Sequence, residues 1–377
     1  TPTPPDILDG WNPVGSYRRD FSLPADWTGD RIVLHFGAVK SAFFLWVNGG
    51  RIGYSQGSKL PAEFDITDAV RPGANTLALE VYRWSDGSFL ECQDFWRLSG
   101  IEREVWLHAR PQTHLADVVA DAGLTDDFLD GTLDLSLAVV HHGKDTFKGT
   151  LRCAVARDGR PLADVDLPVS IASGDTARVT LRKRFPGIDR WTAETPNLHD
   201  VTVSLLDRKE RPLEATRLEV GFRNIRIEDG LVKVNGKPIL IKGANRHEHH
   251  PETGHVVDKA TMEADIRALK THHFNAVRTS HYPNHPYWYT LCDRYGLYVY
   301  DEANIESHGI GYDLDKTLGN NPDWALAHRM RTTRMIARDR NHPSIICWSM
   351  GNEAGNGVNF YANYKTIQAM DPTRYIA

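Results

Sequence analysis

The sequence predicts a multidomain chain in which two all-β units precede an α/β unit of parallel strands covered by helices. Three observations carry this reading. Short apolar runs with period-two alternation, broken by Gly, Asn, Asp and Pro, occupy residues 17 to 222. After Gly221 the apolar period becomes helical, and strand-like and helical segments alternate. A length of 377 residues, 41% of them hydrophobic, exceeds one typical domain and supports two or three cores.

The elements follow in order. The first unit, residues 1–109, contains Arg31 to Phe36, then "SAFFLWVNG" and "NTLALEVYRW"; Asn48-Gly49 between apolar runs signals a tight hairpin. The second, residues 110–222, carries "GTLDLSLAVV", "GTLRCAVAR", "ARVTLRKRF" and "HDVTVSLLD", the pattern of a β-sandwich. In the third, residues 223–377, Met262, Ile266 and Leu269 follow the cap Asp258 at helical spacing, and "NAVRTSHY" reads as a strand. Pro286 opens a helix that Gly296 closes, and "LYVYDEAN" is the next strand. Asn321-Pro322 caps a helix expected to present Leu326, Met330, Thr333 and Ile336 on one face; "SIICWSM" is again a strand, and Phe360, Tyr364 and Ile367 mark a last helix. The count is four strand–helix units.

Net charge is −5 with no long basic run, so neither nucleic acid nor an anionic membrane is an expected partner. No run of 18 apolar residues and no leader pattern in the first 30 residues is present, which points to a soluble, cytoplasmic protein; the chain opens on Thr1, so an upstream targeting segment could precede it. Cys92, Cys153, Cys292 and Cys347 are widely spaced, and reduced thiols are expected.

Polar residues fall where successive strands of the third unit end: Asn245-Arg246-His247, Arg278 with His281, Glu302 to His308, and Asn352-Glu353. A doubly wound sheet and a β/α barrel are both compatible with the strand–helix order. The repeated polar strand ends favour the barrel, which gathers such ends into one mouth. No GxSxG elbow or phosphate loop is present, and Pro251 occupies the second histidine position of a zincin pattern begun at His247. Carboxylates beside Trp288, Trp348, Tyr282 and Tyr287 suit sugar chemistry, in which one acid protonates a glycosidic oxygen and another attacks the anomeric carbon.

"RWSDGSFLECQDFWRLSGI", "NGKPILIKGANRHEHHP", "NAVRTSHYPNHPYWYTLCDRYGLYVYDEANIESHG" and "RDRNHPSIICWSMGNEAGNG" resemble the large bacterial β-galactosidases of glycoside hydrolase family 2 over essentially the whole chain. The resemblance implies a jelly-roll sugar-binding-like domain, an immunoglobulin-like sandwich and the first half of a (β/α)8 TIM barrel. It implies a retaining exo-glycosidase for terminal β-galactosides, homo-oligomeric at full length. Glu353 matches the general acid/base; Asn352, His247, Arg278, His281 and Asp86 match residues that bind the galactosyl ring. Glu306, His308 and Glu353 match ligands of Mg2+, for which Mn2+ could substitute, and Asp86 also matches a Na+ ligand. The resemblance puts the nucleophile after barrel strand seven, beyond residue 377, so this chain alone is expected to be inactive. Glu302 and Glu306 belong to strand three and are not expected to replace it. Another family 2 activity, β-glucuronidase or β-mannosidase, and a non-catalytic sugar-binding protein are the alternatives.

Overall fold

The computed structural model describes residues 3–7 and 10–377. In the first unit, a sheet of Val14–Leu23, Gly73–Tyr82, Ala42–Val47 and Gly50–Gln56 faces a second in which Arg31–Phe36 is flanked by Ala62–Asp65 and Val105–Arg110. Alternation drives this packing: Ile32, Leu34 and Phe36 of one strand, Phe43, Leu45 and Val47 of another and Leu77, Leu79 and Val81 of a third point into one core. The Asn48-Gly49 hairpin forms as expected, both residues taking positive φ (51° and 84°), which matches the twist of the flanking strands.

The second unit is a seven-stranded sandwich. Thr113–Leu124, Gly131–His141 and Thr176–Phe185 form one sheet; Arg160–Ile171, Phe147–Arg157, His199–Asp207 and Pro212–Val220 form the other. Cys153 lies in its core, and all four cysteines are free, Cys92 being half-buried.

A feature absent from the sequence reading separates the sandwich from the third unit. Ile225–Glu228, Leu231–Val234 and Lys237–Pro238 form a small antiparallel sheet, turned at Asp229-Gly230. Its Val234 packs with Trp191, Ala276, Tyr298 and Ile346 at the N-terminal ends of the strands that follow. Those strands are β1 (Gly243–Arg246), β2 (Ala276–Thr279), β3 (Tyr298–Glu302), β4 (Ile345–Ser349) and β5 (Tyr375–Ile376). They are parallel and hydrogen-bonded in chain order without reversal, unlike a doubly wound sheet. Between them run α1 (Lys259–Thr271), α2 (Pro286–Tyr295), α3 (Ala325–Asp339) and α4 (Val358–Met370). Asp258 caps α1 through Thr261 N, and Gly296 ends α2 in the left-handed region. Among the described residues no helix is long and apolar enough to cross a membrane.

One expectation fails here. Leu326 and Met330 of α3 are exposed; the helix buries Ile336 as expected, and with it His328, Arg331, Thr332, Met335 and Asp339. Met335 and Ile336 join the α/β core, while Arg331 and the half-buried Arg334 turn to the first domain, where Arg331 meets Glu91 and Arg334 donates to Gln56 O and Pro61 O, so each cation has a partner. Of the aromatics that accompany the carboxylates in sequence, Trp288, Trp348 and Tyr282 are fully buried, the usual place for such residues.

The sandwich is pinned to the α/β unit by Arg223, 6% exposed, which donates to Pro343 O (2.6 Å) and Ile345 O (3.0 Å) at the head of β4. Replacing it strands the carbonyl of Pro343, while Ile345 O keeps Arg374 Nε at 2.8 Å. Arg223→Met should cost roughly 2–4 kcal/mol in denaturant unfolding, whereas Arg217→Met at an exposed pair with Asp200 should change stability by about 0.5 kcal/mol or less. Equal losses at the two positions would contradict this account of the joint.

Candidate active site

The polar residues after β1 to β4 converge on one rim, and local chain geometry sets each of them. Beyond β4, Gly351 passes Ile305 so closely that a Cβ would lie 2.6 Å from its carbonyl oxygen, and only glycine fits. The next amide, Asn352 N, donates to that same oxygen (2.9 Å). Glu353 then takes φ +36°, a conformation that costs a non-glycine residue on the order of 1–3 kcal/mol and is held only where the surroundings enforce it. Its side chain remains 57% exposed, facing the rim.

Beneath the rim lies Glu302, at the end of β3, with no exposed surface. Arg278 of β2 donates to it twice, Nε to Oε2 at 2.9 Å and Nη2 to Oε1 at 3.0 Å. His281 Nδ1 lies 2.7 Å from Oε1, and Ser349 Oγ of β4 donates to Oε2 at 2.7 Å. Arg278 Nη2 also reaches Asn352 Oδ1 at 2.9 Å. One buried carboxylate thus orients Arg278 and His281 and, through Arg278, Asn352.

Glu306, His308 and Glu353 form the second cluster. Their ligand-type atoms all lie within 4.8 Å of one another, and among the described residues no other trio of His, Cys, Asp or Glu gathers so closely. His308 Nδ1 is 3.2 Å from Glu306 Oε1 and 3.7 Å from Glu353 Oε2. Burial raises the Glu306 carboxyl above its ordinary range, against the lowering pull of His281, Asn352 and His308. Glu306 Oε2 and His308 Nδ1 are buried without a hydrogen-bond partner. Orphaned acceptors that face one another fit a divalent cation, and two carboxylates with one imidazole can fill half an octahedron.

His247, beyond β1, stacks on His249 (4.9 Å, 14°) and meets His281 edge-on (5.4 Å, 80°). Burial, reinforced by His249 and His281, pushes its pKa down to about 4, so at neutral pH it is an uncharged donor and acceptor suited to hydroxyl groups. Arg246, beside it, is structural: it pairs with Asp265 and lies over Trp288 at 4.0 Å.

Of the residues expected from sequence, Arg278, His281, Asn352, Glu306, His308, Glu353 and His247 are therefore brought together. Asp86 is not linked to them by a hydrogen bond or ion pair. It sits exposed in a short 3-10 turn, where Oδ1 accepts from Gly87 N at 2.8 Å. The sequence reading placed Glu302 at a strand end and weighed it only as a replacement nucleophile; that it binds Arg278, His281 and Ser349 was not foreseen, because those partners lie on other segments. It also missed Asp94, whose Oδ1 lies 3.6 Å from His308 Nε2. The "QDFW" run beside Asp86 was the available signal.

Known proteins carry the same arrangement of domains. The family profile described as "Glycosyl hydrolases family 2, sugar binding domain" matches residues 2–111, "Glycosyl hydrolases family 2" matches 113–223, and "Glycosyl hydrolases family 2, TIM barrel domain" matches 225–377. A β-galactosidase of Yersinia pestis is 46% identical over 385 residues, covering 98% of this chain and 36% of the relative; one from Yersinia pseudotuberculosis is equally similar. This chain thus spans about a third of the length of these curated relatives. The crystal structure of Bacteroides uniformis β-glucuronidase superposes with a TM-score of 0.87 at 24% identity, over 96% of this chain and 46% of that one, a likeness of fold. With all three profiles naming one family and accounting for nearly every residue, the chain belongs to family 2 of the glycosyl hydrolases.

Proposed function

We propose that these residues form the acid/base half of a retaining β-galactosidase site. The observation that carries this reading is the convergence of Glu353 with Asn352, Glu306 and His308 on the rim of the parallel sheet. Galactose as the sugar is favoured by the 46% identity to proteins named β-galactosidase; the β-glucuronidases among the solved structures share the fold at 24% identity and leave another family 2 exo-glycosidase as the second reading. In this proposal β1 to β5 are the first strands of an eight-stranded barrel, and the hollow of about 610 Å³ over their concave face, lined by Arg278, Tyr300, Glu302 and Ser349, is barrel interior.

The chemistry follows from the residues. Glu353, exposed and at the rim, donates its proton to the glycosidic oxygen as the bond to the anomeric carbon breaks. A second carboxylate about 5 Å away attacks that carbon; in this reading it belongs to a later strand of the family barrel. Glu353, now ionised, takes a proton from a water whose oxygen attacks the anomeric carbon and displaces the second carboxylate, which releases the sugar with retained configuration. Asn352, held by Arg278, hydrogen-bonds the 2-hydroxyl more strongly as positive charge develops on the ring. Neutral His247, with His281, binds ring hydroxyls. When bound by Glu306, His308 and Glu353, Mg2+ or Mn2+ would supply positive charge that favours ionised Glu353 and fixes its position. Na+ at Asp86 is proposed on the resemblance alone.

Glu353→Gln in the full-length enzyme should slow galactosides with poor leaving groups by roughly 10² to 10⁴ while sparing glycosylation by activated aryl galactosides. Azide should then yield a β-galactosyl azide. Equal loss on both substrate classes without azide rescue would overturn the assignment. Chelation should lower activity and shift its pH profile, Mg2+ or Mn2+ should restore both, and Glu306→Gln should imitate the chelated enzyme. A pH profile indifferent to verified cation removal would count against the shared site.

A further inference from the structure

The first domain reaches the rim through one segment. Leu90 O accepts from Glu306 N at 2.8 Å, and Cys92 N donates to Glu306 O at 3.0 Å. Glu91 and Glu306, and in turn Glu306 and Asn352, are paired as parallel bridges. The backbone of Glu306 is therefore the middle member of a three-segment bridge, with Glu91 of the first domain on one side and Asn352 of the "GNE" segment on the other.

That segment is anchored by a charge. Glu91 is 3% exposed, and its carboxylate accepts from Ser58 N (3.2 Å), Ser58 Oγ and Arg331 Nη2 of α3 (3.0 Å). The pair joins the two domains directly beneath the bridge. A buried ion pair of this kind adds little net stability compared with apolar packing, but it tolerates one arrangement only, since loss of either partner leaves a charge uncompensated. Two further contacts tie the segment down: Arg97 Nη1 donates to Glu91 O (2.9 Å) and Gln93 Nε2 to Asn304 Oδ1 (2.8 Å). Asp94 is then presented to the outer nitrogen of His308, Oδ1 to Nε2 at 3.6 Å. At 3.6 Å, beyond hydrogen-bond length, this carboxylate acts through its charge, which favours the tautomer with the proton on Nε2. The lone pair then lies on Nδ1, the atom that faces Glu306 and Glu353.

We propose that the Glu91–Asp94 segment of the first domain positions the cation ligands: Glu91, locked to Arg331 and Ser58, sets the place of Glu306, and Asp94 sets the orientation of His308. These are positioning residues; neither touches substrate. The inference rests on the cation reading of Glu306, His308 and Glu353, and the experiment separates the two. Mn2+ is titrated into the wild-type protein, Glu306→Gln, Glu91→Gln and Asp94→Asn, with free Mn2+ followed by electron paramagnetic resonance and folding by circular dichroism. Glu306→Gln, which removes a ligand, should abolish tight binding. Glu91→Gln and Asp94→Asn should keep the fold and weaken Mn2+ binding by roughly tenfold or more, the scale of lost supporting contacts at metal sites. The Asp94 side chain is 88% exposed, so its variant keeps the test decisive even where Glu91→Gln unfolds. Wild-type affinity in Asp94→Asn, and in Glu91→Gln if it folds, with binding lost in Glu306→Gln, would reduce the segment to a domain clamp and overturn the proposal. Unchanged binding in Glu306→Gln would remove the cation reading and the proposal with it.

Discussion

A carboxylate with no access to water must be surrounded by donors, and the rim of this protein is arranged around one. Glu302 receives Arg278 twice, lies against His281 and accepts from Ser349, groups contributed by β2, the turn after it and β4. Desolvating such a charge costs several kcal/mol, and only a specific set of partners offsets it. Because those partners come from successive strands, the requirement fixes how the ends of β2, β3 and β4 stand relative to one another. Arg278 then carries the constraint outward to Asn352, and the backbone bridge carries it from Asn352 to Glu306. The strain at Glu353 is sustained by the same neighbourhood, through Gly351 pressed against Ile305.

The domains are coupled by the same principle. Buried charges bridge the first domain and the α/β unit at Glu91–Arg331 and at Arg103–Glu248, both almost fully enclosed. Each pair is poor glue and a strict template. The first domain accordingly lines part of the rim, bringing Asp94 near His308 and pairing the backbone of Leu90 and Cys92 with Glu306.

The sequence made the order of domains and the strand-end residues legible because both leave local signatures. Period-two runs, Asn48-Gly49, Asp258 and Gly296 are read within a few residues of one another, and "IESHG" and "SMGNE" follow apolar strands directly. What escaped notice depends on partners far along the chain. The buried face of α3 was misread because periodicity scores apolar residues, whereas Arg331 and Arg334 turn to acceptors some 240 to 280 positions away. The role of Glu302 as a hub went unread for the same reason: it is defined by donors on other strands. The hairpin of residues 225–238 was missed because its strands have four residues or fewer, too short to show alternation.

The central claim is that one buried carboxylate organises the rim, and a double-mutant cycle tests it most directly. Unfolding free energies of the wild type, Glu302→Gln, Arg278→Met and the double variant would be compared in denaturant titrations. If Glu302 and Arg278 act as one unit, each single change should cost about 3–5 kcal/mol, since it leaves a buried partner unpaired, and the double variant should cost about 2–3 kcal/mol less than the sum. Additivity within about 0.5 kcal/mol would show that the two side chains stabilise the rim independently, and the account would be wrong at its centre.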